Sequence, residues 1–225
     1  MTIAITEQQD IVLKVIQDYL DNNRVFELDK IIPYIRNTLT RSSININDNG
    51  IKIIIRSLIE NRYILHGSKL TKDRILKNEN RKDIYYLIKN NPGIVFNQIM
   101  KELKLSTHVI TWHIDVLTKF GCLNKARIDN HEIYFHVKVK KSNYTSLYLL
   151  SNKKIKNIIS YIKNLDDVGI NKSGASKDIN IHYRIASKYI DSLEEAGILY
   201  KESLSNKNLY YLSDKYFKVL EKYYQ

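Results

Sequence analysis

A mainly helical chain with small β-hairpins, an α+β architecture built by repetition, is what three observations predict. The first is a recurring helix-to-strand pattern: Ile51, Ile55, Leu58, Ile64; then Ile110, Ile114, Leu117, Leu123; then Ala186, Ile190, Leu193, Leu199. All four positions keep the same offsets of 59 and 76 residues between copies, and self-similarity at a fixed spacing defines the architectural unit. The second is that two copies are followed by alternating strands around polar turn residues, Asp129-Asn130-His131 and Ser205-Asn206-Lys207-Asn208. The third is size: 225 residues with 44% hydrophobic content give room for two or three small domains and not for one large enzyme core.

Residues 6–23 carry Val12, Val15, Ile16, Tyr19 and Leu20 at helical spacing, so the first helix has one buried stripe. Residues 28–39 predict a second helix with Ile31, Ile32 and Ile35 inward, in which Pro33 is tolerated only in the first turn. Asn47, Asp48 and Asn49 supply N-cap chemistry for a third helix that ends near Asn61. The following Tyr63-Ile64-Leu65 and His66-Gly67-Ser68-Lys69-Leu70 are too short for a two-stranded hairpin, so this copy is clipped. Thr71-Lys72-Asp73-Arg74 is expected to begin another short helix.

The second copy is the clearest. A helix from Arg81 stops at Asn90-Asn91-Pro92-Gly93, because the residue before proline avoids helical geometry and glycine accepts the turn. Phe96–Leu103 forms the next helix and Ser106 caps a third that reaches Phe120, where Gly121 ends it. Strands follow at 122–128 and 133–139. Lys138, Lys140, Lys141, Ser142 and Asn143 mark the best domain boundary. In the third copy, helices are expected over 152–165, 171–177 and 181–196, strands over 198–202 and 209–212, and a last helix capped by Ser213 with Tyr216, Phe217, Leu220, Tyr223 and Tyr224 as its stripe.

Helices closed by a hairpin wing are the plan of a winged helix, and three such domains in tandem are predicted: 1–78 with a reduced wing, 79–141, and 142–225 with a terminal helix. The formal charge of +12, from 36 Lys and Arg against 24 Asp and Glu, divides as +3, +5 and +4 over those segments. The excess therefore belongs to the folded body and not to a basic tail, and it points to an anionic partner, nucleic acid first.

Asn91-Pro92-Gly93-Ile94, Ser106-Thr107-His108-Val109-Ile110-Thr111-Trp112-His113-Ile114 and Phe120-Gly121-Cys122-Leu123 resemble archaeal winged-helix transcriptional regulators of the ArsR/MarR-like kind. Glu194-Glu195-Ala196-Gly197-Ile198-Leu199 repeats the pattern more loosely. The resemblance implies that each third helix enters the major groove of double-stranded DNA while the wing touches its backbone. With Ile110, His113, Ile114 and Leu117 inward, the outward set is Thr107, His108, Thr111, Trp112 and Asp115. The repeat offset gives Tyr183, Arg184, Ser187, Lys188 and Asp191 in the third copy, where Arg184 suits a guanine edge and Lys188 a phosphate. Arg127 and Lys207 flank the two hairpins as phosphate contacts. In the first copy the equivalents are Asp48, Asn49, Lys52, Ile53 and Arg56, and the acidic start disfavours phosphate.

Enzyme chemistry finds no foothold: Gly-rich phosphate loops, Gly-x-Ser-x-Gly and His-Glu-x-x-His are missing from the sequence. His108 and His113 project about 140 degrees apart on a helix and so cannot share a metal. Cys122 is the single cysteine, which excludes a thiolate cluster and suits a reducing compartment. No metal or cofactor is therefore expected, and the absence of long apolar runs or a leader predicts a cytoplasmic protein without membrane attachment. Two readings stay open: a DNA-binding regulator, and a tandem winged-helix protein-interaction scaffold of the ESCRT-II-like or transcription-machinery type. A homodimer or a protein partner would use the N-terminal unit or the C-terminal helix.

Overall fold

The computed structural model describes residues 5–22, 25–165, 168–204 and 207–224. Its first helix, α1 (Glu7–Asn22), begins in a reciprocal cap: Gln9 N donates to Thr6 Oγ1 at 3.2 Å while Thr6 N donates to Gln9 Oε1 at 2.8 Å. α2 (Leu28–Arg41) contains Pro33 at its sixth position, not in its first turn. The ring removes the amide that Asp29 would have bonded, and the helix tolerates this because Pro33 lies on the exposed side. α3 (Asp48–Glu60) is capped by Asn47, whose side chain accepts from Gly50 N at 2.8 Å. The three helices pack pairwise around Ile16, Phe26, Ile31, Ile35, Ile51, Ile55 and Leu58. The wing is reduced to a single antiparallel bridge, Ile64 with Thr71. Residues 72–74 form turns rather than the expected helix, and a 3-10 turn follows at Ile75–Lys77.

Next come α4 (Glu79–Asn90), β1 (Ile94–Val95), α5 (Phe96–Leu103), α6 (Thr107–Lys119), β2 (Leu123–Ile128) and β3 (His131–His136). β3 is central in a sheet of order β1-β3-β2, with Ile94 opposite Tyr134 and Val95 opposite Ile133. The β2–β3 turn places Asp129 and Asn130 at φ 48° and 63°, the left-handed values that let a two-residue loop follow the strand twist. Then follow α7 (Tyr144–Ser151), α8 (Lys153–Lys163), α9 (Lys172–Asp178), α10 (Tyr183–Glu195), β4 (Leu199–Leu204), β5 (Lys207–Leu212) and α11 (Asp214–Tyr223). β4 and β5 pair antiparallel, Tyr200 opposite Tyr211. The predicted turn residues Ser205 and Asn206 lie outside the described residues.

Compactness divides the chain differently from three consecutive segments. One unit comprises residues 1–84 with 108–123, the other residues 85–107 with 124–225. In the second unit a single core joins Ile133, Phe135 and Val139 of the central hairpin region to Leu147, Ile158, Ile190 and Ile198. Phe135 and Tyr144 stack with ring centres 3.9 Å apart. Lys138, Lys140, Lys141 and Ser142 are exposed around the buried Val139, so the polar run connects elements of one core. α11 buries Tyr216 and Val219, while Phe217, placed in the stripe by sequence, is 53% exposed. Ser213 occupies the N-cap position but spends its hydroxyl on the carbonyl of Gly197.

Candidate nucleic-acid interface

α10 starts at His182, whose Nδ1 accepts from Arg184 N at 3.3 Å, leaving the first turn fixed in direction. Ala186, Ile190 and Leu193 are buried, and this stripe forces Arg184 and Lys188 onto the solvent side with Tyr183, which is half exposed. Among the described residues no carboxylate pairs with either cation. Ser187 is half-buried and its hydroxyl donates to Asp191 Oδ2 at 3.2 Å, while the other Asp191 oxygen pairs with Lys172. These two outward candidates therefore brace the helix against α9 as well as facing solvent.

An open cleft of about 550 Å³ lies in the same unit, lined by Asn171, Lys172, Ser173, Tyr183, Lys207, Asn208 and Tyr210. It brings the predicted residues Tyr183 and Lys207 together, one from the start of α10 and one from β5. Lys172 and Tyr210 line it beyond the predicted residues, with the Nζ of Lys172 5.7 Å from the centre of the Tyr210 ring. Arg127, on β2, is exposed.

On α6 the buried residues are Ile110, His113, Ile114 and Leu117, as the periodicity requires, and Thr107, His108, Thr111 and Trp112 are exposed. Thr107 Oγ1 approaches Met100 Sδ at 3.7 Å. Arg81, outside the predicted site residues, is buried with its guanidinium 5.2 Å from the Trp112 ring centre and Nη1 donating to the Ile75 carbonyl at 2.8 Å. The signal for it was present: Arg81, Ile84 and Ile88 occupy one helical stripe. On α3, Asn49, Lys52, Ile53 and Arg56 are exposed, but Asp48 is ion-paired by Arg36. That pairing removes much of the repulsion an acidic helix start would offer a phosphate.

Burial, then the Arg81 charge, lowers the pKa of His113 below the ordinary imidazole value of 6.5. His136, which shares a 3.0 Å hydrogen bond with the Tyr85 hydroxyl, is lowered first by burial and then by Lys89 and Lys138. Above pH 6.5 folded and unfolded imidazoles are both neutral; below it the unfolded chain takes up protons first, so stability falls as pH falls. Urea midpoints should drop between about pH 7.5 and about pH 5.5, and His113→Gln with His136→Gln should flatten that slope. A slope unchanged in the double variant would rule out these imidazoles as its source. Cys122 has its thiol pushed up by burial, partly offset by Lys72, which makes it a poor nucleophile or metal ligand.

Residues 77–122, from the end of the 3-10 turn through α6, match the family model for winged helix-turn-helix DNA-binding domains. Over 154 residues, 66% of its length, the chain is 27% identical to an uncharacterized HTH-type transcriptional regulator of Methanocaldococcus jannaschii, and it spans 37% of that relative's length. Among the described residues no helix is long and apolar enough to cross a membrane.

Proposed function

We propose that the chain is a sequence-specific, double-stranded DNA-binding transcriptional regulator of the ArsR/MarR-like kind, built of three tandem winged-helix units and acting in the cytoplasm without catalysis. The observation that carries this reading is the family match over residues 77–122. Arg184 and Lys188, exposed on α10 and without an ion-pair partner among the described residues, and the cleft lined by Tyr183, Lys207 and Lys172 support it in the C-terminal region. α10 lies in the major groove, α6 enters it by Thr107, His108 and Thr111 of its N-terminal half, and Arg127 and Lys207 meet phosphates from the wings. Arg184 reads a guanine edge and Lys188 neutralises a phosphate, so specificity and affinity divide between neighbouring turns of one helix.

The test is selection of genomic duplex fragments on the immobilised full chain. Enriched fragments should bind at least about 10³-fold more tightly than random duplex; recovery of fragments without a shared sequence would refute specific reading. A second reading holds for the first segment alone: Ile53 on α3 is 60% exposed and Asp48 is already neutralised, a surface suited to a protein partner or a second copy of the chain.

A further inference from the structure

We propose that the groove between residues 65–70 and the C-terminal half of α6 receives an acidic, amphipathic helical segment of a partner protein. The groove is an open cavity of about 880 Å³ within the first unit. Its apolar surface comes from Leu65 and Leu70 on the loop and Trp112 and Val116 on the helix, above the buried Phe120 that follows it. Such a stripe matches apolar anchors spaced at i, i+3, i+4 and i+7 on an incoming helix.

The walls are preformed. Phe26 N donates to the Ser68 carbonyl at 2.8 Å and Gly67 N to the Phe26 carbonyl at 3.1 Å, so the loop is tied to the helical core on both sides of its turn. Trp112 is 51% exposed yet held, with the Arg81 guanidinium 5.2 Å from its ring centre and the His113 ring 4.7 Å away at 62°. A rigid, half-exposed tryptophan loses little side-chain entropy on contact, which is the property of an interface anchor.

Charge chooses the occupant. Arg62, Lys69 and Lys119 surround the groove, against the single carboxylate of Asp115. Arg62 is steered toward the end of α6 by its contact with the Thr118 carbonyl at 3.4 Å, and Lys69 and Lys119 have no ion-pair partner among the described residues. An acidic helix satisfies this rim while its leucine-type side chains cover the floor. A duplex is wider than this cavity and has no apolar stripe to offer it. A second groove of the same unit, lined by Leu28, Ile32, Ile55 and Ile59, has Asp29 and Glu60 beside Lys52 and Arg56, so it selects no charge.

Trp112 is the only tryptophan, so the fluorescence of the full chain reports on this groove directly. The probe is a synthetic helical peptide with Leu at i, i+3, i+4 and i+7 and Glu at its other positions, beside the same peptide with Lys for Glu. The Glu peptide should give a saturable blue shift, bind at least about tenfold more tightly than the Lys peptide, and lose about tenfold or more in affinity on Lys69→Glu with Lys119→Glu, whose exposed positions leave the fold intact. No shift up to about 1 mM Glu peptide, or equal binding of the Lys peptide, would overturn the proposal. A shift driven by duplex DNA and blocking the peptide would assign the groove to DNA and overturn it. A concentration-dependent shift without peptide, matched by dimer formation in light scattering, would assign it to a second copy and overturn it as well.

Discussion

Replacing Arg184 and Lys188 together by alanine should weaken duplex binding by about 10- to 10²-fold while leaving the melting temperature essentially unchanged. Both side chains are exposed on α10 and neither is ion-paired among the described residues, so their removal takes nothing from the core formed by Ala186, Ile190 and Leu193. The two losses are separable. Lys188→Ala should act alike on all sequences and lower the salt slope by about one, because it removes one phosphate contact. Arg184→Ala should cost about 1–3 kcal/mol on the selected sequence and relax the preference at one base pair. A fall in melting temperature with binding per folded molecule unchanged would show instead that these residues are structural.

The second large effect concerns folding. Gly93→Ala is expected to destabilise the second unit by about 2–5 kcal/mol. Gly93 has φ +90°, and a Cβ built on it would stand 2.6 Å from the carbonyl oxygen of Leu147 and 2.7 Å from its carbonyl carbon. The obstacle is backbone, at the start of β1 where it passes α7, so no rotamer change relieves it. Gly67 is the internal control: φ is +71° and nothing lies within 4 Å of a Cβ there. Gly67→Ala carries only the conformational cost, about 1–2 kcal/mol. Equal urea midpoints for the two variants would contradict the close approach of Gly93 to Leu147.

The helices that the sequence shows most clearly are those with one apolar stripe. α3 starts where Asn47 places it, α5 spans the predicted Phe96–Leu103, and α10 shows its buried face at Ala186, Ile190 and Leu193. Elements without such a signature were not legible. β1 is two residues long and cannot display alternation. α7 buries Tyr144, Leu147, Leu149 and Leu150, which fall on more than one side of a short helix, so no stripe separates it from a connecting segment. In α11 the predicted stripe packs on the core at Tyr216, Leu220, Tyr223 and Tyr224, but Val219 joins it and Phe217 turns outward.

The interface divides in the same way. Exposure of Thr107, His108, Thr111, Trp112, Arg184 and Lys188 followed from helical periodicity alone. Contacts between distant residues did not. Nothing in the sequence joins Tyr183 to Lys207 across one cleft, and nothing ties Asp191 to Lys172. Arg81 was hidden by its type: a guanidinium on an apolar stripe reads as a solvated charge until the Trp112 ring and the Ile75 carbonyl are found around it.

The most direct measurement is fluorescence anisotropy of a labelled duplex titrated with the full chain over a series of salt concentrations. With Arg127, Lys188 and Lys207 at phosphates and Arg184 at a base edge, log affinity should fall linearly with log salt at a slope of about −3. Absence of duplex binding at low salt would contradict DNA recognition and leave the protein-interaction reading of the tandem units in its place.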